Sequence, residues 1–136
     1  MPRRILPLVL IKRSSAGLGL FAGEDIQKER YILPYEGDKL TNAEADERGG
    51  RYLVAVSTRT TIDGAPRSNK ARYANHSCRP NCEMLSDRGK AELYSLRKIR
   101  EGEELCFDYG KEYFDEFIKP HGCKCSSCLA GNKSRY

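Results

Sequence analysis

Residues 72–82 read RYANHSCRPNC, a stretch that concentrates amide, imidazole and thiol side chains just before a turn favoured by Pro80. Its composition indicates a functional site. Taken alone, His76 is as well explained by a hydrogen-bonded core position as by a ligand or a general base. A thiol protease built on Cys78 and His76 is disfavoured, because the two are only two positions apart and no orienting partner is identified.

A second informative stretch, ELCFDYG, occupies residues 104–110. It is an apolar strand pattern that ends at Tyr109, beside an aspartate and a glycine, where the tyrosine hydroxyl is expected to face a pocket. More aromatic side chains follow at Tyr113 and Phe117, and core packing explains those two. The stretch therefore adds one candidate, Tyr109, to the site.

Composition and charge limit the class of protein. The chain has 136 residues, of which 39% are hydrophobic and 32% charged, as expected for one folded domain. The net charge is +5, but residues 101–116 hold seven acidic and one basic side chain, a net of −6, so the remainder carries +11. The acidic stretch would attract a partner rich in Lys and Arg, and the basic remainder could rest against phosphates, although solvated faces explain both.

The N-terminal segment resembles a secretory leader only superficially. Its apolar run covers residues 5–11, contains Pro7 and leads to no cleavage pattern, so it predicts a first strand instead. No run approaches the roughly 18 apolar residues of a membrane span. We therefore expect a soluble, intracellular protein with no membrane partner.

Hydrophobic patterns predict a strand-rich fold with few helices. Short strands are expected at residues 8–12, 31–35, 52–57, 60–63, 91–95 and 105–109. Thr41 and Glu44 form a capping-box pattern, which predicts a helix of about two turns ended by the glycine pair at 49–50. The four-residue spacing of three aromatic side chains from Tyr109 to Phe117 predicts a second helix near the C-terminus.

Gly17-Leu18-Gly19 follows the first predicted strand, and two glycines there would let the backbone approach a ligand closely. The pattern has no third glycine and no long helix after it, which disfavours a dinucleotide-binding fold. An ordinary tight turn is the expected structure.

Three cysteines near the C-terminus, Cys123, Cys125 and Cys128, lie within six residues, which suits thiolate ligation of zinc in a reducing compartment. Reduced cysteines without a metal are the alternative. Tetrahedral zinc needs a fourth ligand, and spacing leaves several candidates open. These candidates are Cys78, Cys82, Cys106, His121 and His76.

Five motifs occur in the order in which one known family has them. They are the G-x-G pattern at 17–19, Tyr-Glu-Gly at 35–37, the stretches at 72–82 and 102–110, and the terminal cysteine cluster. On these motifs the chain resembles the SET-domain protein lysine methyltransferases, from about residue 8 to about residue 131. The resemblance implies a mainly β fold, the β-clip arrangement of short strands in small sheets, with a knot-like C-terminal threading and a few short helices. It also implies a SET domain at residues 1–117 and a post-SET-like zinc-binding tail at 118–136.

The resemblance implies roles for individual residues. Tyr109 would be the catalytic tyrosine and Tyr35 a second wall of the lysine channel, while Phe107 would leave room for a methylated nitrogen. Two groups of residues are implied to bind S-adenosylmethionine. They are the backbone at Ala16, Gly17, Leu18 and Gly19, and the side chains of Tyr52, Arg72, Tyr73, Asn75 and His76.

For zinc, the resemblance selects Cys78 as the fourth ligand beside Cys123, Cys125 and Cys128. This tail departs from the family pattern, which usually has four residues between the second and third cysteines where this chain has two. The departure keeps His121 open as a substitute for Cys128.

The implied activity is S-adenosylmethionine-dependent N-methylation of a protein lysine, with a histone tail or another basic protein as substrate and di- or trimethyllysine as product. One alternative is a catalytically weak SET-like module that only binds basic peptides. Another is a zinc-stabilised nucleic-acid binder, based on the basic residues at 1–13 and 133–136, and a weak nucleic-acid contact is also compatible with the enzyme. A histone substrate would place the protein at chromatin in a eukaryotic nucleus; otherwise the cytoplasm or a host cell is expected.

Overall fold

The computed structural model describes residues 5–136; residues 1–4, which begin the basic N-terminal segment, lie outside the described residues. The strands are β1 Val9–Ser14, β2 Gly17–Ala22, β3 Tyr31–Tyr35, β4 Asp38–Thr41, β5 Leu53–Ala55, β6 Thr60–Asp63, β7 Asn75–His76, β8 Cys82–Asp87, β9 Lys90–Ser95 and β10 Glu104–Phe107. The helical elements are α1 Asn42–Arg48, a 3-10 turn at Lys70–Tyr73, α2 Lys111–Tyr113, a π-helical turn at Phe114–Ile118, a 3-10 turn at Lys119–His121 and α3 Ser126–Leu129. Short strands in small sheets, with few short helices, confirm the predicted mainly β fold.

The first sheet has the strand order β1-β2-β10-β7 and contains parts of both informative sequence stretches. Strands β10 and β7 are parallel, with Cys106 opposite Asn75 and Phe107 opposite His76. Parallel neighbours cannot be joined by a tight hairpin, so a long crossover must separate them in the chain. The pairing places Asn75 and His76 beside the strand that leads to Tyr109. The knot-like threading stays a prediction.

The hairpin of β1 and β2 corrects the expectation for the G-x-G pattern. Ser14 pairs with Gly17, so the turn is the two-residue Ser15-Ala16 link, and the predicted turn at Gly17-Leu18-Gly19 is wrong. Gly17 enters β2 with a φ of +98°, a conformation that favours glycine. Leu18 and Gly19 are extended because they pair with Arg13 and Lys12 of β1, and β10 joins β2 only from Leu20 onward.

The other two sheets are antiparallel, with the strand orders β3-β9-β8 and β4-β6-β5. The largest core cluster draws side chains from several strands, and Leu20, Ile32, Leu93 and Leu105 are completely buried there. In β9 every second side chain is buried, which is the period expected for a strand with one face on the core. The strands that position the site are therefore anchored in the core through their buried faces.

Helix α1 confirms the capping box predicted from the sequence. The Glu44 backbone N–H donates to Thr41 Oγ1 at 3.2 Å, and the Thr41 N–H donates to Glu44 Oε1 at 3.1 Å. Gly49 follows the last helical residue with a φ of +60°. The strands predicted at 31–35 and 60–63 are also confirmed, whereas β2, β4, β7 and β8 carry no sequence signal that we recognised.

The C-terminal helical segment begins later than the aromatic spacing predicts. It starts at Lys111, so Tyr113 and Phe117 lie on it, but Tyr109 does not. The strand predicted to reach Tyr109 ends at Phe107, and Tyr109 lies in the link between β10 and α2. The three aromatic rings still form a row, with centroids 4.9 Å apart for Tyr109 and Tyr113 and 4.7 Å for Tyr113 and Phe117.

None of the helices between residues 5 and 136 is long and apolar enough to cross a membrane.

Candidate active site

A cleft of about 960 Å³ opens between the turn after β1, the segment before β8 and the C-terminal helical turns. Small-molecule sites typically enclose roughly 300–1,000 Å³, so the cleft has the size of a ligand site. Most of the site residues predicted from the sequence line it. They are Ala16, Gly17, Leu18, Tyr52, Arg72, Tyr73, Asn75, His76 and Tyr109. Gly19, Tyr35 and Phe107 do not belong to the lining.

Asn75 ties the cleft to two neighbouring strands. Its side-chain Nδ2 donates to the Leu18 carbonyl oxygen at 3.0 Å and to Glu104 Oε2 at 2.9 Å. Ser14 Oγ lies farther away, at 3.4 Å from the same nitrogen. The amide of Asn75 therefore holds the beginning of β2 against β10 at the wall of the cleft.

His76 is buried and serves as a fixed hydrogen-bond acceptor. The Tyr109 backbone N–H donates to its Nδ1 at 3.1 Å, which requires that this nitrogen carry no proton. Burial lowers the pKa of His76, opposed by the Asp108 carboxylate, whose oxygen lies 3.7 Å from Nδ1. His76 in its neutral form therefore positions the backbone of Tyr109.

The Tyr109 hydroxyl donates to the carbonyl oxygen of Ala74 at 2.5 Å. Burial, and then the neighbouring hydroxyls of Tyr113 and Tyr35, raise the pKa of Tyr109 well above its ordinary value. The hydroxyl is therefore neutral at physiological pH. Its proton points to Ala74, which leaves the oxygen free to accept an interaction from the cleft.

Tyr35 and Phe107 are buried behind Tyr109. The Tyr35 hydroxyl donates to the carbonyl oxygen of Tyr52 at 2.8 Å, and burial followed by the Asp63 charge raises the pKa of Tyr35. The Phe107 ring lies 4.7 Å from that of Tyr109, centroid to centroid. Both side chains thus support the aromatic wall that ends at Tyr109.

Arg72 crosses the cleft wall between two tyrosines. Its guanidinium carbon lies 4.3 Å from the centroid of the Tyr52 ring and 5.1 Å from that of Tyr73. Its Nε is buried and has no hydrogen-bond partner among residues 5–136. Arg51 and Lys124 add positive charge to the lining, and no described lining residue is acidic. The cleft is therefore electropositive, which suits a ligand that carries a carboxylate.

Four thiols come together beside this cleft. The sulfur atoms of the cluster lie within 4.8 Å of one another, with 3.8 Å between Cys78 and Cys123 and 3.7 Å between Cys78 and Cys128. Zinc–sulfur bonds of about 2.3 Å in a tetrahedron separate sulfurs by about 3.8 Å. The residues of the cluster are Cys78, Cys123, Cys125 and Cys128. The donor set and its spacing fit zinc.

The structure also distinguishes among the candidate zinc ligands that the spacing of the cysteines in the sequence left open. Cys128 belongs to the thiol cluster, whereas His121 lines the cleft outside it. Cys82 lies in β8 and Cys106 in β10. Burial raises the pKa of Cys82 to about 12, as expected for an inert structural thiol.

The C-terminal tail packs on a second, smaller core. The Phe114 ring lies between His76 and Tyr136, with centroid distances of 5.2 Å and 5.5 Å. The Tyr136 hydroxyl donates to Asp108 Oδ2 at 2.6 Å, and Arg135 Nε lies 3.3 Å from the same oxygen. The tail is thereby attached next to Tyr109 and forms one side of the cleft.

Comparison with known proteins agrees with this arrangement. A sequence model of the SET domain matches residues 17–110, which is more than half of the chain. The chain belongs to the SET-domain family. This SET domain includes Asn75, His76 and Tyr109, and the thiol cluster adds Cys78 from the SET domain to three cysteines that follow the matched range.

Relatives of this SET domain include three histone-lysine N-methyltransferases. MEDEA of Arabidopsis thaliana is 36% identical over 121 residues, which cover 79% of this chain and 18% of that protein. ASHH3 of the same plant is 28% identical over 138 residues, or 92% of this chain and 37% of that protein. Trithorax of Drosophila virilis is 32% identical over 123 residues, or 82% of this chain and 3% of that protein. The chain therefore spans well under two thirds of each relative.

Several residues of the site had no role in the sequence interpretation. Glu104 and Asp108 lie inside the ELCFDYG stretch, but their contacts with Asn75 and Tyr136 depend on the fold. Arg51 and Lys124 line the cleft, whereas the sequence indicates only that they contribute to the general positive charge. No local pattern identifies these partners, because each contact joins residues that are distant in the chain.

Proposed function

We propose that this SET domain is an S-adenosylmethionine-dependent protein-lysine N-methyltransferase. The main support is that Asn75, His76 and Tyr109 line one cleft, although Tyr109 follows His76 by 33 positions. The relatives MEDEA, ASHH3 and trithorax are histone-lysine N-methyltransferases, which agrees with the proposal.

The cleft suits S-adenosylmethionine in size and in the types of groups that line it. The buried Nε of Arg72 lacks a partner within residues 5–136 and is a donor that a carboxylate would satisfy. The exposed faces of Tyr113 and Phe117 offer aromatic surface for a purine ring. The backbone of Ala16 and the amide of Asn75 supply polar groups beside them. These residues would hold the methyl donor.

Catalysis in this cleft is mainly a matter of alignment. When bound, S-adenosylmethionine supplies a methyl group that is already activated as a sulfonium. The Tyr109 oxygen, whose proton is donated to Ala74, is available to orient a polarised methyl group. The aromatic wall of Tyr109 and Tyr113, with Phe107 packed behind Tyr109, disfavours the charged form of a lysine with a reference pKa of about 10.4. No dedicated base is then required.

The activity is tested with Tyr109→Phe and labelled S-adenosylmethionine on core histones. We expect methyl transfer to fall about 100-fold or more, because an oriented transition-state contact is lost, while the circular dichroism spectrum is retained. Tyr94→Phe is the matched control, since its hydroxyl contacts Glu92 outside the cleft, at 3.4 Å. Unchanged transfer by Tyr109→Phe would refute the role of this tyrosine. A native chain that binds basic peptides without any transfer would instead support a binding module.

The product is proposed to be di- or trimethyllysine. Phe107 packs against Tyr109, at 4.7 Å between centroids, and has no hydroxyl to hold the amine or a water molecule. A methylated nitrogen can then rotate and accept a further methyl group. Phe107→Tyr should shift the product toward monomethyllysine in mass spectra. Only monomethyl product from the native protein would contradict this proposal.

The proposed substrate is a lysine in a basic protein, with histone tails as the leading candidates. Glu112 and Glu116 are exposed on the helical segment whose Tyr113 and Phe117 line the cleft, which places negative charge at its border. Core histones and other basic proteins, compared in one methylation assay, would identify the substrate. A histone substrate would place the protein at chromatin in a nucleus, and a weak nucleic-acid contact through the basic surface would appear as steep salt dependence.

Zinc is proposed as the structural ion of the thiol cluster. The cluster joins Cys78, in the stretch at residues 72–82, to the tail that follows α2. We propose that the boundary between the SET domain and the post-SET-like tail lies near residue 117. Bound zinc would stabilise the tail against the cleft, since metal-binding free energy adds to folding free energy. Metal analysis of the purified protein, with and without chelator, tests this.

A further inference from the structure

Glu104 occupies an unexpected place next to the cleft wall. It begins β10 opposite Phe21 of β2, and its half-buried side chain reaches back across β2 to Gly19. Its Oε2 accepts a hydrogen bond from Asn75 Nδ2 at 2.9 Å. This carboxylate does not line the cleft, but it contacts a residue of the proposed cofactor site.

Gly19 makes room for this contact. A β-carbon at position 19 would lie 2.5 Å from Glu104 Oε2 and 2.9 Å from the β-carbon of Ser14. Such distances are far below the 3.5–4.0 Å or so at which carbon atoms pack. Since Gly19 does not line the cleft, its lack of a side chain is explained by the Glu104 carboxylate and not by a ligand.

The carboxylate also determines which way the Asn75 amide faces. An ionised carboxylate can only accept hydrogen bonds, and so can the Leu18 carbonyl oxygen, 3.0 Å from the same nitrogen. The two N–H bonds of the amide are therefore directed to Glu104 and Leu18. The remaining polar atom, Oδ1, is left as an acceptor for the cleft that Asn75 lines.

We propose that Glu104 is a positioning residue that holds the Asn75 amide with its oxygen toward the cofactor cleft, and that Gly19 provides the space for it. The proposal rests on the proposed methyltransferase function for its consequence, because the oxygen would accept a hydrogen bond from a donor group of bound S-adenosylmethionine. Glu104 itself touches neither the cofactor nor the reacting atoms. Its loss should weaken cofactor binding and spare the methyl-transfer step.

Calorimetric titration with S-adenosylmethionine tests this consequence. Glu104→Ala should raise the dissociation constant about tenfold or more, as for a lost hydrogen bond to a charged group. Glu104→Gln keeps an acceptor oxygen at the same reach and should stay within about threefold of the native value. At saturating cofactor, the turnover number of Glu104→Ala should remain close to native. Glu103→Ala is the charge-matched control, because that carboxylate pairs with Arg97 and not with Asn75.

Gly19→Ala provides an independent arm of the experiment. The added methyl group should displace the carboxylate and weaken cofactor binding as Glu104→Ala does. In a Glu104→Ala background, Gly19→Ala should add less than it does alone, because the contact with Glu104 is already lost and only the clash with the β-carbon of Ser14 remains. Independent, multiplying effects of the two substitutions would overturn the proposal. So would a Glu104→Ala variant that binds the cofactor as the native chain does.

The orientation of the amide can be measured without any cofactor. In the ligand-free protein, the side-chain amide protons of Asn75 should show a downfield shift and slow exchange by NMR, and both should be lost in Glu104→Ala but kept in Glu104→Gln. If the shift and the exchange rate of the Asn75 amide protons are unchanged in Glu104→Ala, the proposal is overturned. A native chain that binds no S-adenosylmethionine refutes the proposed function, while this signal still decides whether Glu104 holds Asn75.

Discussion

Gly64→Ala should destabilise the protein because it drives a methyl group into Tyr35. The added β-carbon would lie 2.3 Å from both Cε1 and Cζ of the tyrosine ring and 2.5 Å from its hydroxyl oxygen. Normal carbon contacts are near 3.5–4.0 Å, so one of the two residues must move by roughly 1 Å or more. Because Gly64 is not in the left-handed backbone region, the expected cost comes from space and not from strain at this glycine.

Neither Tyr35 nor Gly64 can move without breaking a hydrogen bond. Tyr35 is only 6% exposed, and its hydroxyl donates to the Tyr52 carbonyl oxygen at 2.8 Å. The Gly64 carbonyl accepts from Asn69 Nδ2 at 3.0 Å, and Asn69 Oδ1 accepts from the Glu36 N–H at 3.1 Å. Overpacking costs about 1–3 kcal/mol, and leaving the buried Tyr35 hydroxyl without its acceptor adds a similar amount. We expect a loss of about 2–5 kcal/mol, a large part of a typical total of about 5–15 kcal/mol.

Urea unfolding followed by circular dichroism measures this loss, since the chain contains no tryptophan for a fluorescence probe. Tyr35→Phe is the matched variant: it removes only the hydroxyl and should cost about 1–3 kcal/mol. The double variant should lose less than the sum of the single losses, by about 1 kcal/mol or more, because both changes remove the same hydrogen bond. A Gly64→Ala loss below about 1 kcal/mol, or strict additivity, would show that Tyr35 does not fill this space.

Three further predictions concern the tail and the first helix. Cys128→Ser should lose zinc to a chelator that does not remove zinc from the native protein, whereas Cys82→Ser should keep its zinc. Atomic absorption measures the zinc content of both variants. Equal zinc retention by the two would show that Cys128 is not a ligand. Thr41→Ala should lower the free energy of unfolding by about 1 kcal/mol through loss of the N-cap, with methylation unaffected, and a stability unchanged in urea would contradict this. Tyr136→Phe should detach the tail from Asp108 and speed its limited proteolysis; cleavage at the native rate would mean that this contact does not hold the tail.

Local sequence rules predicted correctly those elements whose conformation depends on residues close together in the chain. The capping box of Thr41 and Glu44 joins residues three apart, and the structure contains both of its hydrogen bonds. The strands at 31–35 and 60–63 were predicted from side-chain pattern alone. These elements depend on short-range geometry, which the order of residue types expresses directly.

The same rules failed where pairing with another strand or a tertiary contact sets the conformation. Gly17-Leu18-Gly19 has the composition of a turn, but its pairing with β1 keeps it extended. The four-residue aromatic spacing predicts that Tyr109 lies in a helix, and the apolar pattern before it predicts that it ends a strand. It is in neither element, because its backbone N–H is bound by His76.

By itself, the sequence determined the family, the mainly β class and the residue types of the site, since the order of motifs and the cysteine tail are properties of the chain alone. Only the tertiary structure decided that Cys128 and not His121 joins the thiol cluster, and that Glu104 reaches Asn75 across Gly19. The physical reason is the parallel pairing of β7 with β10 and the packing of the tail beside it. Contacts of this kind join residues far apart in the chain, so no local spacing encodes them.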